Sequence, residues 1–208
     1  MSEKNFTIYL VDDDPGVLKA LSRFLDAKGY GVQRFTSAQD FLSHHDATVP
    51  GCSILDLAMP GLDGLQLQEA LAAGGAQRPV IFLTGKGDIP ATVRAMKAGA
   101  VDFLTKDAPK DDLLQAIARA EELDAQTRRV RAELVAIQTK VAALTPRERE
   151  VLAHVVAGRL NKQIAGDLGT VEKTVKFHRG HLMKKLGLRT VADLVRFAEK
   201  AGISIAKT

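Results

Sequence analysis

Cysteine is all but missing: one thiol, Cys52, occurs in 208 residues, within the apolar run from Cys52 to Leu57. A lone cysteine rules out an internal disulfide and suits a reducing compartment. Its setting reads as that of a small buried residue. Long hydrophobic runs are also lacking. No apolar stretch nears the roughly 18–20 residues that span a bilayer. The opening residues, Met1-Ser2-Glu3-Lys4-Asn5, carry no signal-peptide pattern. A cytoplasmic protein with no membrane partner is therefore expected. Between Asp111 and Leu144 there is neither glycine nor proline, so nothing there breaks a helix.

What is present supports real cores: 46% of residues are apolar, in a chain long enough for two small domains or one large one. The net charge of +4 hides an asymmetry. Residues 1–122 hold 12 basic and 17 acidic side chains, whereas 123–208 hold 17 and 8. An acidic half joined to a basic half points to two domains, the second with a polyanionic partner.

The first half alternates strand and helix. Phe6–Val11 reads as a strand ending in Asp12-Asp13-Asp14-Pro15. Asp14 before Pro15 is an N-cap followed by a proline at the first helical position, for a helix to Lys28. Gly31–Phe35 is a second strand, and Ser37 caps a helix to His45. Cys52–Leu57 is a third strand, delivering Asp56 to its end; Pro60, Gly61 and Gly64 enforce a turn before the amphipathic run from Leu65. Pro79–Thr84 and Val101–Thr105 make two more strands, with helices at Asp88–Ala98 and from Lys110. Five strands alternating with helices predict an α/β fold, a doubly wound five-stranded parallel sheet.

Such a sheet gathers Asp12, Asp13, Asp56, Thr84 and Lys106 at one edge. Converging carboxylates repel unless a divalent cation sits among them, and hard oxygen ligands favour Mg²⁺. Lys106 can pair with Asp56, and Thr84 can donate to an oxygen on it. A nucleophilic carboxylate with a metal, a lysine and a hydroxyl forms a phosphoryl-acceptor site.

Residues 5–121 resemble the receiver domain of two-component response regulators, a flavodoxin-like fold. The resemblance rests on Val11-Asp12-Asp13-Asp14, Leu55-Asp56-Leu57-Ala58-Met59-Pro60-Gly61-Leu62-Asp63-Gly64, Leu83-Thr84-Gly85 and Ala95–Phe103. It implies that Asp56 takes a phosphoryl group from a sensor histidine kinase. It also implies that Asp13, Asp56 and the Ala58 carbonyl bind Mg²⁺ with Asp12 assisting, and that Thr84 and Phe103 form a switch pair. Phe103 fits an ordinary core position equally well. Family members usually place a cis proline directly after the site lysine; here Asp107 follows Lys106, so a trans bond is expected. Asp107 adds a carboxylate able to compete for Lys106. Lys86 either reaches the acidic cluster or faces water. Positions matching Ala58 and Lys86 influence phosphoryl lifetime in the family.

Beyond the receiver, Val130, Leu134, Ile137, Val141 and Leu144 repeat at spacings 4, 3, 4, 3, and Leu113, Ala116, Ala120, Leu123 and Thr127 extend the seam backward. One long helix is predicted. Its seam fits a dimer coiled coil or packing on the chain's own domains. The basic half then holds four short helices: Thr145-Pro146-Arg147-Glu148 is a capping box, Asn161 caps a second helix, Glu172–Leu186 is a third, and Thr190 with Asp193 opens a fourth. The turn at Gly169-Thr170 before the strongly basic third helix makes a helix-turn-helix. A 100° step puts Val175, His178, Leu182 and Leu186 on the core side. Lys173, Phe177, Gly180 and Lys184 fall opposite, with Lys176 beside them, facing a major groove. Phe177 suits a thymine methyl. Arg179 lies near the core margin and fits phosphate contact or an internal pair. Lys162 and Thr174 complete the expected DNA-binding set.

Leu144–Leu152, Asn161–Ala165 and Thr174–His178 resemble the LuxR/NarL/FixJ helix-turn-helix, over about residues 144–203. Val171 stands where that family often has Ser or Thr as cap, with Thr170 a possible substitute. Gly180 removes a side chain from a frequent base-reading position. The full expectation is a receiver (1–121), a linker helix (122–143) and an all-α helix-turn-helix domain (144–208). Phosphorylation is expected to drive a homodimer onto promoter half-sites, with RNA polymerase the further partner and binding steeply salt-dependent. A DNA-binding regulator indifferent to phosphorylation is one alternative. An aspartyl-phosphate hydrolase is another, but it needs a second acid two residues after Asp56, where Ala58 stands.

Overall fold

The computed structural model describes residues 5–75, 78–85 and 89–203. Lys86 and Asp88 lie outside them. The chain divides into two compact units, Met1–Arg128 and Arg129–Thr208. In the first, β1 (Thr7–Val11), α1 (Pro15–Ala27), β2 (Gly31–Phe35), α2 (Ala38–His44), β3 (Gly51–Leu55), α3 (Gly64–Ala73), β4 (Val80–Thr84), α4 (Ile89–Lys97) and β5 (Asp102–Thr105) alternate along the chain. The five strands are parallel in the order β2-β1-β3-β4-β5. The order reverses between β1 and β3, the place where such sheets leave a crevice beyond the strand ends.

β3 and β4 are buried at every residue, as strands covered on both faces must be. One core lies on the side of α1 and the following helix α5 (Lys110–Ala142), around Leu18, Leu25, Ile54 and Ile117; the other lies under α2, α3 and α4, around Phe41, Leu55, Leu67 and Phe82. Cys52 is fully buried in the first, where burial pushes its thiol up to about 12. Local chemistry sets the helix starts. Asp14 accepts from the Gly16 and Val17 amides, Ser37 from Asp40, and Asp63 with Gln66 closes a capping box at α3.

Helix α5 (Lys110–Ala142) runs unbroken for 33 residues. Its early seam residues Leu113, Ala116 and Ala120 are buried in the first unit's core, and Ile137, with Leu144 just past the helix end, in the second's. Between them Leu123, Val130 and Leu134 remain exposed. Near the end of the first unit, Arg128 pairs with Asp124 at 2.8 Å. Its guanidinium donates to the carbonyls of Thr48 and Val49, both at 2.6 Å, in the loop leading into β3. Arg78, buried over the Tyr9 ring at 4.0 Å, donates to the Asp46 and Val49 carbonyls of the same loop.

The second unit holds α6 (Pro146–Val156), α7 (Asn161–Asp167), α8 (Glu172–Leu186) and α9 (Val191–Lys200) around Val151, Leu152, Ile164, Val175, Leu182 and Leu194. Thr145–Glu148 and Thr190–Asp193 form the expected capping boxes, and Gly187 ends α8 at φ 70°. Two expectations fail. Asn161 is the first residue of α7 and not its cap; its Oδ1 is occupied by Arg179 Nη1 at 3.0 Å, while Gln163 Oε1 takes the Leu160 amide. Thr170 does not stand in as the cap of α8: Val171 is the N-cap, with no side-chain hydrogen bond.

Candidate functional site

The register Val11↔Leu55 aligns β1 and β3, so the residue after each strand meets its neighbour at the same height. Asp12 and Asp56 are those residues, and the Asp56 amide donates to the Val11 carbonyl at 2.8 Å. Both carboxylates are buried, at 4% and 6% exposure, while Asp13 is exposed beside them. Asp12, Asp13 and Asp56 can each offer an oxygen within 4.8 Å of the others. The set is all hard oxygen, the donor chemistry of Mg²⁺.

Lys106, just past β5, lies between the two buried carboxylates. Its Nζ is 2.7 Å from Asp12 Oδ2 and 2.9 Å from Asp56 Oδ2. Its amide donates to the Thr84 carbonyl at 2.7 Å, which ties the lysine's loop to the end of β4. Burial works to lower the Lys106 amine, but the bonds and charges of Asp12 and Asp56 outweigh it and leave it raised. Burial pushes the Asp12 carboxyl up, against the pull of Lys106 and the Asp14 amide.

Thr84 is buried at the site's wall, 2% exposed. Phe103 is half-buried, packed against the α2–α4 core with its ring 5.9 Å from Phe82. Ala58 is exposed, its amide 3.4 Å from Asp56 Oδ1. Gly64 fits closely behind the acceptor: a Cβ there would come 2.3 Å from the Asp56 carbonyl oxygen. The expected competition from Asp107 does not occur. Its carboxyl accepts from Thr105, which lowers it, and Lys106 keeps both buried aspartates. No cis bond occurs among the described residues, Lys106–Asp107 included.

In the second unit α8 divides as its wheel requires. Val175, Leu182 and Leu186 are buried, His178 is half-buried, and Lys173, Lys176, Phe177, Gly180 and Lys184 are exposed. Lys162 on α7 is exposed and Thr174 half-buried. Two of the expected DNA cations have partners within the unit: Arg179 bonds Asn161, and Lys176 pairs with Glu172 at 2.9 Å. His181, absent from the expected set, is exposed, its ring tilted against that of Phe177 at 4.3 Å between centroids. Extending the 100° step by one turn from Phe177 would have found it.

Family comparison agrees with both halves. The response regulator receiver domain matches residues 8–118, and the luxR family of bacterial regulatory proteins matches 142–198. Nodulation protein W of Bradyrhizobium diazoefficiens is 42% identical over 97% of this chain and 88% of its own length. Transcriptional regulatory protein FixJ of the same species is 38% identical, over 94% of this chain and 96% of its own. The solved structure of response regulator StyR, 43% identical, superposes with a TM-score of 0.87 over 94% of this chain and 99% of that one. With an acidic crevice at the first unit's sheet switch point and a basic helix-turn-helix in the second unit, the chain belongs to the NarL/FixJ-type response regulators, which couple a receiver to LuxR-type DNA binding to regulate transcription in response to phosphorylation.

Proposed function

We propose that Asp56 is the acceptor through which a sensor histidine kinase controls promoter binding by this protein. The observation that carries this reading is the pairing of Asp56 with Lys106 at 2.9 Å, beside two further aspartates. An Asp56 carboxylate oxygen attacks the phosphorus of a phosphohistidine or acyl phosphate, and the donor's bond to phosphorus breaks as the acyl phosphate forms. Lys106 turns from carboxylate to phosphoryl oxygen, and the Thr84 hydroxyl donates to another. Mg²⁺, held by Asp12, Asp13, Asp56 and the Ala58 carbonyl, would neutralise charge on the transferred group when bound. Phe103 follows Thr84 inward as the second member of the switch.

Residues 1–121 act as receiver, 122–143 as linker helix and 144–208 as DNA-binding domain, in the cytoplasm. The phosphorylated receiver pairs with a second copy through α4, where Ile89, Val93 and Met96 expose an apolar stripe. Lys162, Lys173, Thr174, Lys176, Phe177, Gly180 and Lys184 face the duplex, with Arg179 holding α7 against α8. Bound dimers then engage RNA polymerase. The test is incubation with Mg²⁺ and acetyl phosphate followed by intact-mass measurement. One phosphoryl group on the wild type and none on Asp56→Asn is the expected result, with dimerisation and tight promoter binding lost together. Label on another residue, or undiminished donor-dependent binding by the variant, would overturn the proposal.

A further inference from the structure

The outward face of α8 carries two rings where a merely solvated basic helix would carry none. Phe177 is 59% exposed, and its ring centroid lies 4.3 Å from that of His181, the planes tilted by 38°. His178 meets Phe177 edge-on at 5.6 Å but is half-buried on the core side. Between the two outward rings in sequence stands Gly180, where an added Cβ would meet nothing within 4 Å. The helix surface beside the pair is therefore open at Gly180, with Lys173 and Lys184 exposed on the same face.

We propose that Phe177 and His181 work as one base-reading pair and that His181 is a specificity-determining residue. Its ring N–H donates to N7 or O6 of a guanine, while Phe177 covers the 5-methyl of a thymine in the adjacent base pair. This rests on α8 being the groove-facing helix. Bases along one strand rise about 3.4 Å per step, close to the separation of the two rings, so each ring meets its own base pair. Guanine shows two acceptors in the major groove and thymine alone a methyl, which matches one donor and one apolar ring. Imidazole keeps an N–H in both its neutral and its protonated form, so the donor persists through neutral pH. Phe177 fixes the plane of that ring, and Gly180 leaves its path to the base edge clear.

The test selects duplexes from a randomised pool with the full chain treated with Mg²⁺ and acetyl phosphate. Wild type is expected to enrich a step that joins thymine to guanine in each half-site. His181→Ala loses preference at the guanine alone, by about tenfold, with an unchanged salt slope. His181→Gln, which keeps an N–H donor, retains part of that preference. Phe177→Ala relaxes the thymine and weakens the guanine as well. A His181→Ala profile identical to wild type would overturn the proposal. So would a uniform loss across all duplexes with a shallower salt slope, the mark of a phosphate contact. If wild type itself selects no sequence, the groove-facing assignment of α8 fails and takes the pair with it.

Discussion

Gly64 shows how closely the acceptor is backed. It opens α3 with its Cα against the Asp56 carbonyl, and a Cβ would meet that oxygen at 2.3 Å and the Phe82 ring at 3.0 Å. Backbone, unlike a flexible side chain, cannot step aside cheaply. Gly64→Ala is therefore expected to cost about 1–3 kcal/mol in urea unfolding, and to slow acetyl-phosphate labelling of Asp56 because the strand end must shift. At this scale the sequence was informative about which residue types meet and poor about their partners. Asp12, Asp56 and Lys106 were legible because strand ends in a parallel sheet converge wherever the strands pair. That Asp107 turns to Thr105, or that Asn161 serves Arg179, depends on side-chain directions that no local spacing encodes.

The starts at Asp14, Ser37, Thr145 and Thr190 were legible because a side-chain cap is written within four residues, whereas α7 and α8 start without one. Glu148 at the start of α6 adds something longer in range. Burial raises its carboxyl, but Lys185 at 2.7 Å and the Thr145 amide at 2.8 Å outweigh it, and the group is held down to about 2 from 4.5. A folded value below the unfolded one stabilises above the unfolded value, so the contribution is complete above about pH 4.5 and drains away as pH falls to about 2. Glu148→Gln should lower thermal stability at pH 7 and flatten its decline over that acid window, as scanning calorimetry would record. The Arg128 clamp was not legible at all, since its acceptors lie about 80 residues away in a loop. Arg128→Ala releases the Thr48 and Val49 carbonyls and leaves Asp124 buried without its partner. A loss of about 1–3 kcal/mol is expected, with faster amide exchange in residues 46–50 and at the start of β3.

Over the whole molecule, the acidic and basic halves announced two partners and the unbroken helix announced their covalent link. The long apolar seam could not say which of its turns would be covered, because the same repeat serves a core and a coiled coil. Its ends proved buried and its middle exposed. Helix α4 offers the clearest assembly test. Ile89, 80% exposed, places a large aliphatic side chain in water beside Val93 and Met96. Ile89→Asp should still gain one phosphoryl group by mass, yet stay monomeric in sedimentation after phosphorylation. Its promoter affinity should fall toward that of the unphosphorylated protein.

Cys52 has a practical sequel. Sealed in the sheet with its thiol at about 12, it offers no thiolate to a maleimide or to Ellman's reagent near neutral pH. The native protein should release no thionitrobenzoate, and the denatured protein one equivalent. Spectroscopists thus inherit a chain that needs no prior cysteine removal: a single new thiol at the exposed Leu134, clear of the α4 stripe, would carry a spin or dye label alone, and the distance between two such labels would report when the copies come together.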